Sequence, residues 1–341
     1  MNLRKTLLGI TAFISIFTGV HAYSLDVKTD SFENARTCFR KPFYTYEEWL
    51  TVVRQGATKR FEDEAKVEES IANFKRRFPE SLYGTYRESL SCETFLYQSD
   101  GTVVQGFVIK PKNHVGLLPV VIYNRGGNGR YGSVNLAQMF ATLFPLVNEG
   151  FIVIGSQYRG SSRHSDPLFD DEFGGKDVND VVNLAKLIPT IPHADPNRIG
   201  MLGASRGAMQ SYLSIKAGVE VKALVTVAGD TDLAAGLTFR PEMENVYIKR
   251  IPDYQKDKTS ALTARSALLW IDELNVDFPI LLIHGEKDKR VGVFQSINMA
   301  NTLTELNISH ELIIYPEDDH NLRINRQQAL SEITDWFQKH L

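Results

Sequence analysis

Cysteine is nearly absent, with 2 among 341 residues. That excludes a disulfide-dense scaffold, and no Cys/His group has zinc-site spacing. There is no internal repeat and no low-complexity tract, which sets aside repeat arrays and collagen-like chains. Charge of either sign is not in excess: 38 Lys and Arg face 41 Asp and Glu, for a formal net charge of -3. Neither a broad basic surface for nucleic acid nor a polyanionic tail follows from that balance. No G-x-x-x-x-G-K-[ST] loop occurs, and beyond residue 22 no run is long and apolar enough to cross a bilayer. What is present is globular: 43% hydrophobic residues are ample for a sizeable core, so wholesale disorder is also excluded.

Arg4 and Lys5 precede an uncharged run from Thr6 to Val20, and Val20-His21-Ala22 offers residues a signal peptidase accepts. This is the order of a secretory signal, and the run falls short of the ~20 residues a spanning helix needs. Residues 1–22 are therefore expected to be removed, leaving a secreted or periplasmic protein with no stable membrane insertion. In an oxidising compartment Cys38 and Cys92 are expected to pair, adding up to ~4 kcal/mol by closing the loop between them. Two buried free thiols are the alternative.

Residues 23–90 form a separate compositional zone, expected to be a helical N-terminal extension. Helices are predicted over 46–55 and 59–78; the second places Phe61, Ala65, Ile71, Phe74 and Phe78 near helical spacing and stops at Pro79. From Ser91 the pattern turns to strands, with 92–98 and 102–109 flanking Ser99-Asp100-Gly101 as a hairpin. Apolar runs at 118–123, 151–155, 199–203, 223–228, 280–284 and 311–315 then alternate with helical stretches at 134–148, 178–187, 206–216, 293–306 and 326–340. Continuous apolar strands separated by helices predict an α/β domain over 91–341: a mostly parallel, doubly wound sheet with helices on both faces. The interval 230–274 exceeds an ordinary connection and is expected to be a cap insertion near the C-terminal strand ends, where such sheets bind ligands.

Gly203-Ala204-Ser205-Arg206-Gly207 sits between a strand and a helix, matching G-x-S-x-G in the context that gives it meaning. A strained strand-to-helix turn lifts the hydroxyl above the sheet, and flanking glycines let the backbone crowd together. A serine hydroxyl needs a base, and the base needs an orienting acid. Asp288 and His320 each follow a later strand, in the order Ser, Asp, His. Glu286, Asp318 and Asp319 are competing acids, while His284, at the end of an apolar strand, reads as a core residue. For the oxyanion, the backbone N–H groups of Arg206 and Gly127 come first, with Gly126 next. Gly127-x-Gly129-x-x-Gly132 is a formal dinucleotide fingerprint, but the next strand ends in Ser156-Gln157 without the carboxylate that motif requires.

With these residues placed, the chain resembles the catalytic domain of the prolyl oligopeptidase family of serine peptidases, which includes the acylaminoacyl peptidases. The resemblance rests on Tyr158-Arg159-Gly160-Ser161, on Gly174-Gly175-Lys176-Asp177-Val178 followed by Asp180, on 195–207, on 281–291 and on 315–320. It spans roughly residues 95–341 and implies an α/β-hydrolase fold, with Ser205 as nucleophile, Asp288 as orienting acid and His320 as base. It implies structural roles for Arg159 and Asp177; Asp177 also reads independently as a helix-start residue. Two differences stand out: Arg125 occupies a position where these relatives usually carry tyrosine or histidine, and about 70 helical residues stand where they usually carry a β-propeller. The expectation is a serine hydrolase that needs no cofactor or metal and cleaves small peptide substrates. The alternatives are a carboxylesterase acting on esters and a non-catalytic ligand-binding protein of the same fold.

Overall fold

The computed structural model describes residues 32–162 and 169–341, so the predicted signal at 1–22 lies outside the described residues. The chain from Glu33 first forms β1 (Glu33–Thr37) and then three helices, α1 (Tyr46–Arg60), α2 (Glu64–Arg77) and α3 (Glu80–Ser89). Thr45 and Glu48 make a capping box at the start of α1. The predicted helix over 59–78 begins instead at Glu64. Phe61 turns extended as the C-cap of α1, and the Asp63 carboxylate accepts the Ala65 N–H to start α2. Pro79 ends that helix as expected but also begins α3, serving as its N-cap with φ near -61°.

β2 (Leu90–Ser99) and β3 (Thr102–Pro111) form the expected hairpin. Its two-residue turn holds Asp100 at φ 49° and Gly101 at φ 78°, the positive values a tight hairpin demands. Next come β4 (Leu118–Asn124), α4 (Leu136–Gln138), a π-helical turn (Met139–Leu143), α5 (Phe144–Asn148), β5 (Ile152–Ser156) and α6 (Asp177–Ala185). β6 (Ala194–Ala204), α7 (Arg206–Lys216) and β7 (Ala223–Val227) follow. The interval at 230–274 is helical, with α8 (Leu233–Phe239), α9 (Met243–Arg250) and α10 (Lys258–Thr263). β8 (Ile280–Gly285), α11 (Phe294–Glu305), β9 (His310–Tyr315) and α12 (Arg326–His340) complete the chain.

All nine strands join one sheet in the order β1-β2-β3-β5-β4-β6-β7-β8-β9. Pairing is antiparallel from β1 to β5 and parallel from β5 to β9. Successive strand residues feed opposite cores. Val120, Ile122, Met201, Leu224 and Leu282 pack with α6, α7 and α11, whereas Val121, Tyr123, Leu202, Val225 and Ile283 pack with α1–α5 and α12. Because β4 and β6–β9 run parallel, the loops after them all emerge at one sheet edge.

The N-terminal segment is neither wholly helical nor separate. β1 pairs with β2 although all five of its residues are exposed. The aromatic side chains of α1–α3 close over the π turn and α5: Phe78 and Phe140 rings lie 5.4 Å apart, Trp49 and Phe140 5.8 Å, Tyr86 and Phe144 5.3 Å. Cys38 and Cys92 are joined as a disulfide with their α-carbons 5.4 Å apart, fastening this segment to β2.

Candidate active site

Ser205 stands alone between β6 and α7 at φ 56° and ψ -126°, a backbone conformation costly for any residue with a side chain. The surroundings hold it there. Its N–H donates to Val227 O of β7 at 2.8 Å, and its carbonyl accepts the Ala208 N–H at 2.9 Å. A side chain at position 207 would run into the Asn124 carbonyl, and one at 203 into Ser211 and the Gly207 carbonyl. The two glycines of the pentapeptide are thus required by close packing of this turn against β4 and α7.

On the loop after β8, the Asp288 side chain is fully buried. Its Oδ1 accepts the backbone N–H groups of Arg290 at 2.7 Å and Val291 at 3.0 Å. Its Oδ2 lies 2.6 Å from His320 Nδ1, on the loop after β9. The other candidate acids are engaged elsewhere. Asp318 caps its own loop through Ile324 and Asn325, Asp319 accepts the Asn321 N–H and pairs with Arg323, and Glu286 is exposed. Burial alone would raise the Asp288 carboxyl, but bonds from His284 and His320, the charge of His320 and the Arg290 N–H hold it well below the usual carboxylate range. His284 does more than fill the core. Its Nε2 is 3.2 Å from the same Oδ2 and 3.0 Å from Val291 O, and its Nδ1 is 2.8 Å from Ser296 Oγ. The His284/Asp288 spacing of four residues was the available signal, but it requires the tight turn after β8 to bring the two together.

Ser205 and His320 line one cavity of about 580 Å³, together with Gly126, Gly127 and Arg206. Arg206 N–H is the first donor of α7 and has no partner within the helix. For Gly127 the geometry follows from its neighbour. The Gly126 carbonyl accepts from Arg125 Nη1 at 2.9 Å, and across a trans peptide the Gly127 N–H points the opposite way. Gly126 supplies clearance, since a Cβ there would lie 3.1 Å from that of Ser205. Gly127 (φ 74°) could carry no side chain without striking the Tyr131 carbonyl, so the dinucleotide-like glycines serve this loop.

Two buried arginines brace the loop. Arg125 gives no hydrogen to the cavity; it donates to Gln157 O, Gly126 O, Gly129 O, Tyr131 O and Ser161 Oγ. The guanidinium of Arg206 makes a two-pronged pair with Asp171 at 2.7 Å, meets Asp177 Oδ2 at 2.6 Å and donates to Gly127 O at 2.9 Å. Burial would lower the Arg206 guanidinium, but Asp171 and Asp177 more than reverse this and keep it charged. Asp177 opens α6 and also accepts the Gly174 and Gly175 N–H groups. Arg159 pairs with Asp180 at 2.7 Å and Asp100 at 3.1 Å. Among the described residues no three His, Cys, Asp or Glu side chains are grouped as metal ligands would be.

Sequence reasoning did not single out Asp230, on the loop after β7. It lines the cavity at the start of the helical interval, whose α8 and α9 contribute Phe239, Met243, Val246 and Tyr247 to the wall.

The chain matches the prolyl oligopeptidase family (peptidase S9) over residues 137–341. It is 27% identical over 271 residues to uncharacterized peptidase YtmA of Bacillus subtilis, covering 77% of this chain and 97% of YtmA. It is likewise 27% identical over 259 residues to uncharacterized peptidase YuxL of the same organism, covering 71% of this chain. The chain spans only 38% of YuxL's length. Among solved structures, an acylaminoacyl peptidase of Pyrococcus horikoshii superposes with a TM-score of 0.65 at 21% identity, over 75% of this chain and 43% of that one. The α/β-hydrolase fold is shared, and the chain belongs to the prolyl oligopeptidase family, carrying its catalytic domain as a serine hydrolase.

Proposed function

We propose that the protein is an exported serine peptidase that works through Ser205, His320 and Asp288. The observation that carries this reading is the 2.6 Å bond between His320 Nδ1 and buried Asp288, in a cavity that also holds Ser205 on its strained turn. Asp288 keeps the proton on Nδ1, leaving Nε2 free as the base. His320 takes the Ser205 proton as Oγ attacks the substrate carbonyl, and Asp288 balances the imidazolium that forms. The oxyanion is met by the N–H groups of Gly127 and Arg206. His320 then protonates the departing amine, and water, activated by the same imidazole, hydrolyses the acyl-enzyme. The disulfide between Cys38 and Cys92 supports export, since such bonds persist in oxidising compartments.

The test is labelling by a fluorophosphonate that reacts with activated serines, followed by hydrolysis of peptide anilides and short aryl esters. Labelling of the folded protein that vanishes in Ser205→Ala, with turnover of anilides, is the expected result. A folded protein that takes no label would refute the enzyme reading, and turnover of esters alone would replace peptidase with carboxylesterase.

A further inference from the structure

The well-buried carboxylates around the active site have partners. Asp171 and Asp177 share Arg206, Asp180 holds Arg159, and Asp288 holds two histidines. Asp230 differs. Its backbone N–H donates to the Ser205 carbonyl at 3.4 Å, so it stands directly beside the nucleophile. Its side chain is partly buried and faces the catalytic cavity. Among the described residues no hydrogen bond or ion pair reaches its carboxylate. Of the arginines that line the cavity, Arg240 is paired with Glu242 at 2.9 Å, the two Nη atoms of Arg206 are held by Asp171 and Asp177, and Arg290 makes no bond to Asp230.

A carboxylate half withdrawn from water with no paired countercharge loses part of its hydration, and a ligand cation would recover that free energy. The wall around it suits such a ligand. Phe173 and Tyr247, with ring centroids 5.2 Å apart, and Met243, Val246 and Val291 line an apolar face along which an alkyl stem can lie with its charge at Asp230. The acyl part of the substrate remains bonded to Ser205 Oγ after the leaving group departs, so it is the part held longest beside this carboxylate.

Resting on the serine-peptidase reading above, we propose that Asp230 is a specificity residue that selects substrates with a cationic group on the acyl part. That group is either a lysine or arginine side chain next to the scissile bond or a free α-ammonium.

Burial pushes the Asp230 carboxyl up to about 6, opposed by His320, His284 and Arg240 and reinforced by Asp288. Preference for a cation should therefore fade as pH falls from 7 to 5. Tyr247 also faces this group. Comparing two substrates as a ratio cancels the titration of His320, which both share.

The experiment measures kcat/KM for N-acetyl-arginyl and N-acetyl-citrullyl anilides, an isosteric pair that differs in charge. It adds alanyl anilide with and without N-acetylation. The expected wild-type result is a preference of at least about tenfold for the charged member of one pair, reduced at least about tenfold in Asp230→Asn and also reduced at pH 5. The arginyl pair responding assigns the side chain as the cation; the alanyl pair responding assigns the α-ammonium. Ratios near unity in the wild type overturn the inference without need of any variant. A ratio unchanged in a folded Asp230→Asn protein also overturns it, as does an equal loss on charged and neutral substrates, which would mark a merely structural role. Fluorophosphonate labelling separates the two levels. A labelled enzyme without cation preference sinks this inference alone, whereas an unlabelled one sinks the peptidase reading and this with it.

Discussion

Replacing Asp288 by Asn tests the active-site geometry with little change in volume. The orientation of the new amide is fixed in advance. The N–H groups of Arg290 and Val291 donate to Oδ1, so the amide oxygen must stay there and the NH2 must take the place of Oδ2. That turns a donor toward His320 Nδ1, 2.6 Å from the position Oδ2 held. The imidazole then keeps Nδ1 bare and carries its proton on Nε2, the tautomer that cannot accept a proton from Ser205. In an unrelated serine protease the equivalent change costs ~10⁴ in kcat, which corresponds to about 5 kcal/mol of transition-state stabilisation. A loss of ~10³ to 10⁴ in kcat is expected here, with KM changed by less than about threefold. The assay is steady-state turnover of an anilide, normalised to folded protein by circular dichroism. Retention of more than about a tenth of the wild-type kcat would refute the tautomer argument and return the acid's role to Glu286, Asp318 or Asp319.

Removing the disulfide by the double change Cys38→Ser and Cys92→Ser should lower stability by about 4 kcal/mol in the chain-entropy model, for a sequence separation of 54. Urea unfolding with and without reductant checks it, and an unchanged midpoint would show that the aromatic packing alone fastens the segment. Acid should weaken the fold through Asp171. Burial would raise this carboxyl, but the charge and bonds of Arg206 and the N–H groups of Phe173 and Gly129 bring it down to about 2. Since the folded value lies below the unfolded one, the stabilisation is present above pH ~4 and is lost as pH falls toward 2, by about 2 kcal/mol. Urea midpoints at pH 7, 4 and 2.5 measure this, and a midpoint that holds steady below pH 4 would contradict it.

The sheet and its edge were legible because buried parallel strands leave an unmistakable pattern, and because a strand–G-x-S-x-G–helix sequence has few other uses. Asp288 and His320 were singled out by position alone, each on the loop after a strand, and the structure brings their side chains within 2.6 Å. What was hidden depended on side chains distant in sequence or on elements without pattern. β1 is exposed at all five residues and shows no alternation. Phe61 and Asp63 divide a stretch whose apolar spacing reads as one helix, because capping outweighs periodicity there. His284 looked like core packing, since only the folded loop brings its Nε2 to Asp288. Arg125, which stood out as a departure from its relatives, acts as a brace gathering backbone carbonyls, a task no local motif announces.

The aromatic cover laid by α1–α3 over Phe140 and Phe144 sets a limit on how this hydrolase can be trimmed. A variant beginning at Ser91 would keep every residue of the proposed reaction centre and still bare a greasy floor directly behind β4 and β5. It would also free the edge of β2 to recruit strangers. Its fate would be clumping rather than slow turnover.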